Sequence, residues 1–187
     1  MSPIETLYQA ARELLRGYPP PIPLRLDLTA GQLVSALPRR LAAQGLALEL
    51  PGLDSDRFFS RLEEQGGMLV FTISPRWYWQ LLDHWARLPR EPLPPLSGER
   101  RQDREDPVFL LAYTIQRCAF LASQRQRSLT DETLPRGLLL ALAREETGQA
   151  LALYWAMEPV LRRDSLLCAA IAGKLTSVLQ KIHPSGL

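Results

Sequence analysis

The chain has 187 residues and a formal net charge of +2, and 46% of its residues are hydrophobic while 22% are charged. This balance is ordinary for a globular protein with a buried core, and so small a net charge does not establish nucleic-acid binding by itself. No apolar run is long enough to span a bilayer, and the first residues, with Glu5 and Glu13, lack the architecture of a signal peptide. We therefore expect a cytoplasmic protein without membrane association.

The first part of the chain, residues 1–85, predicts a small α+β domain. Ser2-Pro3-Ile4-Glu5 fits a capping box with proline at the first helical position, and Gly17 ends the helix that it opens. The apolar and β-branched run Met68–Ile73 predicts a strand that follows the turn Gly66-Gly67. Further strands are expected at residues 24–28 and 46–50, and further helices from Thr29 to about Leu41, from Asp54 or Ser55 through Leu62, and from Ser74-Pro75 onward.

Residues 86–105 predict a linker, because they are rich in proline and arginine and show no apolar periodicity. Beyond the linker the pattern is helical only. Helices are expected over residues 107–125, within the long apolar stretch 134–161, and over residues 165–182. Residues 106–187 therefore predict an all-α bundle.

The helix that begins after Asp106 carries the main functional signal. Asp106 is a favourable N-cap, and Pro107 suits the first helical position. Tyr113 and Arg117, one turn apart, fall on the side away from an apolar stripe. An exposed ring beside a guanidinium offers RNA a stacking surface and a hydrogen-bond donor. The stripe consists of Val108, Leu111, Ala112, Ile115, Ala119 and Ala122.

The run Asp106-Pro107-Val108-Phe109, followed by Tyr113 and Arg117, resembles the first helix of the DALR anticodon-binding domain of arginyl-tRNA synthetases. The family usually carries Ala-His where this chain has Thr114 and Ile115. The pair Tyr154-Trp155 is similar to an aromatic pair of the same family, with Trp155 at the aromatic that faces the anticodon. The resemblance implies a DALR-like helical bundle that contacts tRNA through Tyr113, Arg117, Tyr154 and Trp155.

The segment Gly67–Trp77 resembles part of the N-terminal additional domain of arginyl-tRNA synthetases, which touches the tRNA elbow in that family. Val70 stands where the family has Asn, and Ala30-Gly31-Gln32 stands where it has His-Gly-Asp. A full synthetase has its catalytic domain between these two parts. Here only the linker lies between them, and no HIGH-like or KMSKS-like element is present. The resemblance therefore implies a synthetase without its catalytic body.

The sequence offers no catalytic, metal or cofactor site. Cys118 and Cys168 are far apart without a CxxC pair, and we expect both to be small buried residues. The phosphate-binding loop, the dinucleotide fingerprint and the nucleophile elbow are all missing. We therefore expect a protein that is not an enzyme.

Two functions remain open on the sequence. The first is a non-catalytic tRNA-binding protein that holds tRNA or presents it to a partner enzyme. The resemblance implies arginine tRNA as the RNA that is bound. Arg125 and Lys174 would then supply phosphate contacts around Tyr113, although such cations equally suit a solvated helical surface. A Tyr-Trp pair within an apolar helix is more often part of a core than a stacking platform. The alternative is a protein–protein interaction module that kept the fold and lost RNA binding. The first needs a positive concavity around Tyr113, whereas the second predicts an apolar or acidic patch there.

Overall fold

The computed structural model describes residues 2–53, 57–89, 106–124 and 128–182. Residues 90–105 of the expected linker thus lie outside the described residues, and the expected domain boundaries stay a prediction. The chain divides into two compact units, Met1–Tyr78 and Trp79–Leu187. A small antiparallel sheet in the N-terminal part is followed by helices, in keeping with the expected α+β character. The described elements are α1 (Pro3–Leu14), β1 (Arg25–Asp27), β2 (Gln32–Ser35), α2 (Leu37–Ala43), β3 (Phe59–Gln65), β4 (Met68–Ile73), α3 (Pro75–Ala86), α4 (Pro107–Ala122), α5 (Arg136–Ala143), α6 (Thr147–Leu161) and α7 (Ser165–Ile182).

Four predicted elements of the first part are confirmed: helix α1, strand β1, strand β4 and helix α3. In α1 the Ser2 hydroxyl accepts a hydrogen bond from the amide of Glu5 at 3.1 Å, as the capping box requires. One face of α1 is buried through Leu7 and Ala11. These elements were predictable because caps, proline positions and apolar periodicity are all local signals.

The helix expected from Thr29 to Leu41 is wrong over its first half. Gln32–Ser35 is strand β2, which pairs with β1 and β4 in a sheet of order β1-β2-β4-β3. The turn before it is closed by Asp27, whose carboxylate accepts from the amides of Thr29 and Ala30, and by Gly31 at φ 65°. Because this turn reverses the chain, the residues after it pair as a hairpin and the helix begins only at Leu37.

The helix expected through Leu62 is also wrong, because Phe59–Gln65 is strand β3, antiparallel to β4. Gly66 and Gly67 have φ 59° and 71°, which suits a two-residue hairpin turn. The rings of Phe59 and Phe71 meet at 5.1 Å across the pair. The strand expected at residues 46–50 does not form, and Leu46 and Leu50 are exposed.

The unit Trp79–Leu187 is built on α7, which packs against α4, α5 and α6. Contrary to the expectation from the sequence, α7 is long and apolar enough to cross a membrane, but 61% of it is buried within the protein, as in the core helix of many folds. The expected apolar stretch 134–161 divides into α5 and α6 at a turn in which Glu145 has φ 60°. The observed core of this unit is therefore helical, as predicted.

Gly173 allows α7 to approach the end of α3 closely. A methyl group at position 173 would lie 2.1 Å from the carbonyl oxygen of Trp85, a separation that no carbon atom tolerates. Trp85 itself is buried. Only glycine therefore fits at this crossing.

We expect Gly173→Ala to lower the free energy of unfolding by about 1–3 kcal/mol, the usual cost of overpacking a core. Gly148→Ala in α6 is the matched control, because nothing lies within 4 Å of a methyl group there; it should leave stability unchanged or raise it by up to about 1 kcal/mol. Urea unfolding followed by circular dichroism measures both. Equal effects of the two changes would contradict the close approach.

Candidate nucleic-acid interface

Helix α4 begins as the sequence predicts, but its buried face is wider than the predicted stripe. The carboxylate of Asp106 accepts from the amide of Val108 at 2.9 Å, and Pro107 occupies the first turn. Ala119, expected in the stripe, is exposed, and Val108 is only half-buried. The reason is that α4 packs against both α6 and α7. Its buried residues are Phe109, Leu111, Ala112, Thr114, Ile115, Cys118 and Leu121.

Three aromatic rings from α4 and α6 form two stacked pairs that share Tyr113. The Tyr113 and Trp155 ring centroids lie 5.7 Å apart at an interplanar angle of 13°, and those of Phe109 and Tyr113 lie 6.1 Å apart at 6°. Tyr113 is 41% exposed, and Trp155 is half-buried. The structure thus brings Tyr113 and Trp155 together, although they are 42 positions apart in the chain. We call Phe109, Tyr113 and Trp155 the aromatic stack.

Tyr154 does not reach the surface, which corrects its expected role in RNA contact. It is 1% exposed, and its ring meets Trp155 edge-on at 5.2 Å. Burial, together with the neighbouring thiol of Cys118, raises the pKa of the Tyr154 hydroxyl. Successive residues of a helix point about 100° apart, so Tyr154 points into the core while Trp155 lies at the half-exposed edge. Tyr154 therefore supports Trp155 from within.

Arg117 is held by Glu158, a residue that the sequence analysis did not select. Arg117 Nε and Nη2 both donate to Glu158 Oε1, at 3.0 and 2.7 Å. The Arg117 side chain is 33% exposed and that of Glu158 12% exposed. The hydrogen bond to Glu158 raises the pKa of the Arg117 guanidinium, so Arg117 stays protonated. A signal for Glu158 existed, because it is the one charged residue in Thr147–Leu161.

The solvent-facing sides of α4 and α6, which we call the α4–α6 surface, carry no other charge. Arg117 is the one charged residue of α4, and its partner is the one charged residue of α6. Phe120 and Val160 are each 64% exposed. The α4–α6 surface is therefore aromatic and neutral, and it does not carry the net positive charge that was expected around Tyr113 for RNA binding. Its exposed residues are Pro107, Tyr113, Ala119, Phe120, Gly148, Gln149, Ala152, Ala156, Pro159 and Val160.

Lys174 is not placed for the phosphate contact expected of it. It is 8% exposed, its Nζ donates to Glu145 Oε1 at 2.8 Å, and it lies 5.9 Å from the centre of the Trp85 ring. Lys181 bonds the same oxygen at 2.5 Å. Through these interactions Lys174 holds the turn between α5 and α6 against α7. Arg125, the other expected phosphate contact, lies outside the described residues.

Cys118 and Cys168 are free and fully buried, as expected of small core residues. Within the described ranges no group of three or more His, Cys, Asp and Glu side chains is placed to hold a metal ion. In the unit Met1–Tyr78, a cavity of about 650 Å³ is lined mainly by apolar residues, with Glu13 and Arg16 as its charged members. It offers space for an apolar group and presents no catalytic grouping.

Comparison with known proteins identifies no relative, since no family model, no curated protein and no solved structure matches the chain. The resemblance to the tRNA-binding parts of arginyl-tRNA synthetases therefore depends on the residues quoted above. The site itself is defined by the geometry of the aromatic stack and of the Arg117–Glu158 pair.

The ion pairs of Glu145 with Lys174 and Lys181 are expected to make stability depend on pH. Hydrogen bonds from Lys174 and Lys181 lower the pKa of Glu145 below its ordinary value of 4.5. A lowered pKa in the folded state means that the stabilisation is complete above the unfolded pKa and is lost as the pH falls through the folded pKa. We expect wild type to exceed Glu145→Gln in unfolding free energy near neutral pH, with the difference shrinking below about pH 4.5.

Urea unfolding at several pH values measures this difference. Glu132→Gln is the control for removing an exposed carboxylate. A wild-type advantage over Glu145→Gln that is constant at acid and neutral pH would show that the lysines do not stabilise the ionised carboxylate.

Proposed function

We propose that this protein binds tRNA without catalysing a reaction, and that the α4–α6 surface contacts unpaired bases. The observation that carries the proposal is the stack of an exposed Tyr113 with Trp155 and Phe109, which an unpaired base can extend from the solvent side. Stacking a base on an aromatic side chain contributes about 1–3 kcal/mol. RNA-binding proteins commonly take splayed-out loop bases in this way. The aromatic stack therefore suits a looped RNA better than a duplex.

The resemblance to arginyl-tRNA synthetases supports tRNA, and arginine tRNA in particular, as the RNA that is bound. It extends over both parts of the chain, with DALR-like features after Asp106 and features of the additional domain around Gly67–Trp77. Arg162 and Arg163 directly follow α6 and are exposed, so they are suited to phosphate contacts next to the neutral surface. In this proposal the protein carries out no reaction, and it holds the tRNA or presents it to a partner enzyme.

We expect Tyr113→Ala and Trp155→Ala each to weaken binding of arginine tRNA by about 5- to 150-fold, the equivalent of one lost stacking contact of 1–3 kcal/mol. Tyr113→Phe keeps the ring and should retain most of the affinity. Filter binding and electrophoretic mobility shifts at low and moderate salt give the dissociation constants.

Tyr8→Ala removes a half-buried aromatic ring from α1 and serves as the matched control. Circular dichroism establishes that each variant is folded. If every RNA binds with the same weak affinity, and neither Tyr113→Ala nor Arg117→Ala changes that affinity, the proposal is contradicted.

A second function is favoured by a separate observation, the neutrality of the α4–α6 surface. Phe120 and Val160 are large apolar side chains exposed beside a compensated ion pair. Protein–protein interfaces have cores depleted in charge and enriched in aromatic residues. The same surface therefore suits a protein partner, as in an interaction module that no longer binds RNA.

A photo-reactive benzoylphenylalanine at position 120 separates the two functions, because it closely matches the phenylalanine that it replaces. If the surface binds a protein, irradiation of cells should give one discrete protein adduct from position 120. The same photo-reactive residue in place of the exposed Arg12 is the control and should give none. Adducts that ribonuclease removes would instead support the tRNA proposal.

A further inference from the structure

The charge on the α4–α6 surface is balanced within a single ion pair. Arg117 and Glu158 are the charged residues of their helices, and they meet through two hydrogen bonds to one carboxylate oxygen. Glu158 is mostly buried, so solvent screens its carboxylate weakly. An anion that approached Arg117 would meet this carboxylate 2.7 Å from the guanidinium. The neutral rings beside the pair impose no such repulsion on an uncharged group.

We propose that Glu158 is a specificity-determining residue, which neutralises Arg117 and so makes the α4–α6 surface accept bases in preference to phosphates. The inference rests on the proposed RNA-binding function and deepens it. Unneutralised, a half-exposed arginine beside a stacking platform would attract the backbone of any nucleic acid, because phosphate contacts are independent of sequence. With Glu158 in place, affinity at this surface comes from stacking.

The position of Glu158 also fixes where Arg117 points. Both Nε and Nη2 of Arg117 are committed to Glu158 Oε1, which holds one edge of the planar guanidinium against α6. Arg117 is one turn from Tyr113 along α4, so the guanidinium remains near the aromatic stack. Removing the carboxylate therefore changes the charge of the surface at a position next to the stacked rings.

A charge cycle on this pair tests the inference. Glu158→Gln leaves a net local charge of about +1, Arg117→Gln leaves about −1, and the double variant returns to zero. Dissociation constants are measured over a range of salt for a short uridine oligonucleotide and for an abasic oligonucleotide of the same length. The abasic strand carries phosphates and no bases, so the ratio of the two constants reports base selectivity.

We expect Glu158→Gln to tighten binding of the abasic strand several-fold at low salt and to steepen its salt dependence by about 0.7 in log–log slope, the value for one added phosphate contact. Base selectivity should fall accordingly. Arg117→Gln should weaken binding of both strands, and the double variant should recover the wild-type salt slope. Glu132→Gln, which removes an exposed carboxylate elsewhere, should leave the slope at the wild-type value.

The outcomes separate this inference from the proposed function. If wild type binds the uridine strand but Glu158→Gln changes neither slope nor selectivity, the role of Glu158 is overturned and RNA binding stands. If wild type binds no RNA while Glu158→Gln gains binding of the abasic strand, the proposed RNA-binding function fails and the neutralising role of Glu158 stands. Loss of affinity in all three variants without a change of slope would assign the pair a structural role only. If Glu158→Gln does not fold, the comparison of Arg117→Gln with the double variant gives the same test.

Discussion

The candidate surface depends on the joining of α4 to α6 by two contacts, the ring pair Tyr113–Trp155 and the ion pair Arg117–Glu158. Neither helix forms this surface alone. In the proposed function the rings offer a stacking area while the ion pair removes the local charge, which would make the surface selective for groups that stack. The Tyr154 ring beneath Trp155 and the packing of α4 on α7 hold the two helices in register. The proposed function and the fold thus depend on the same few side chains.

Local signals in the sequence predicted the helices well and part of the sheet poorly. Ser2 and Asp106 cap α1 and α4 as expected, because a cap depends only on its own first turn. Gln32–Ser35 and Phe59–Gln65 were expected to be helical, yet both are strands. Their short apolar runs fit either period, and pairing across the sheet decided between them. Glycines with positive φ lie before β2 and after β3, where tight turns bring each strand back against its neighbour.

The candidate site was predictable where a residue's role depends on its own helix, and less so where it depends on packing between helices. Tyr113 is exposed, as its place opposite the apolar stripe indicated. Tyr154 and Lys174 are buried because the face that a helix turns inward is set by its neighbours. Glu158 was missed because its partner lies 41 residues away in sequence. Local periodicity carries no information on such a contact.

Ultraviolet cross-linking of arginine tRNA to the intact protein, followed by mass spectrometry of the joined peptides, tests most directly whether the aromatic stack binds bases. The experiment needs no variant, because aromatic side chains in contact with bases are themselves reactive. If the stack takes unpaired bases, cross-links should map to Tyr113 in α4 and Trp155 in α6, and to loop nucleotides of the tRNA. Cross-links confined to the unit Met1–Tyr78, or none above the level of a non-binding protein, would contradict it.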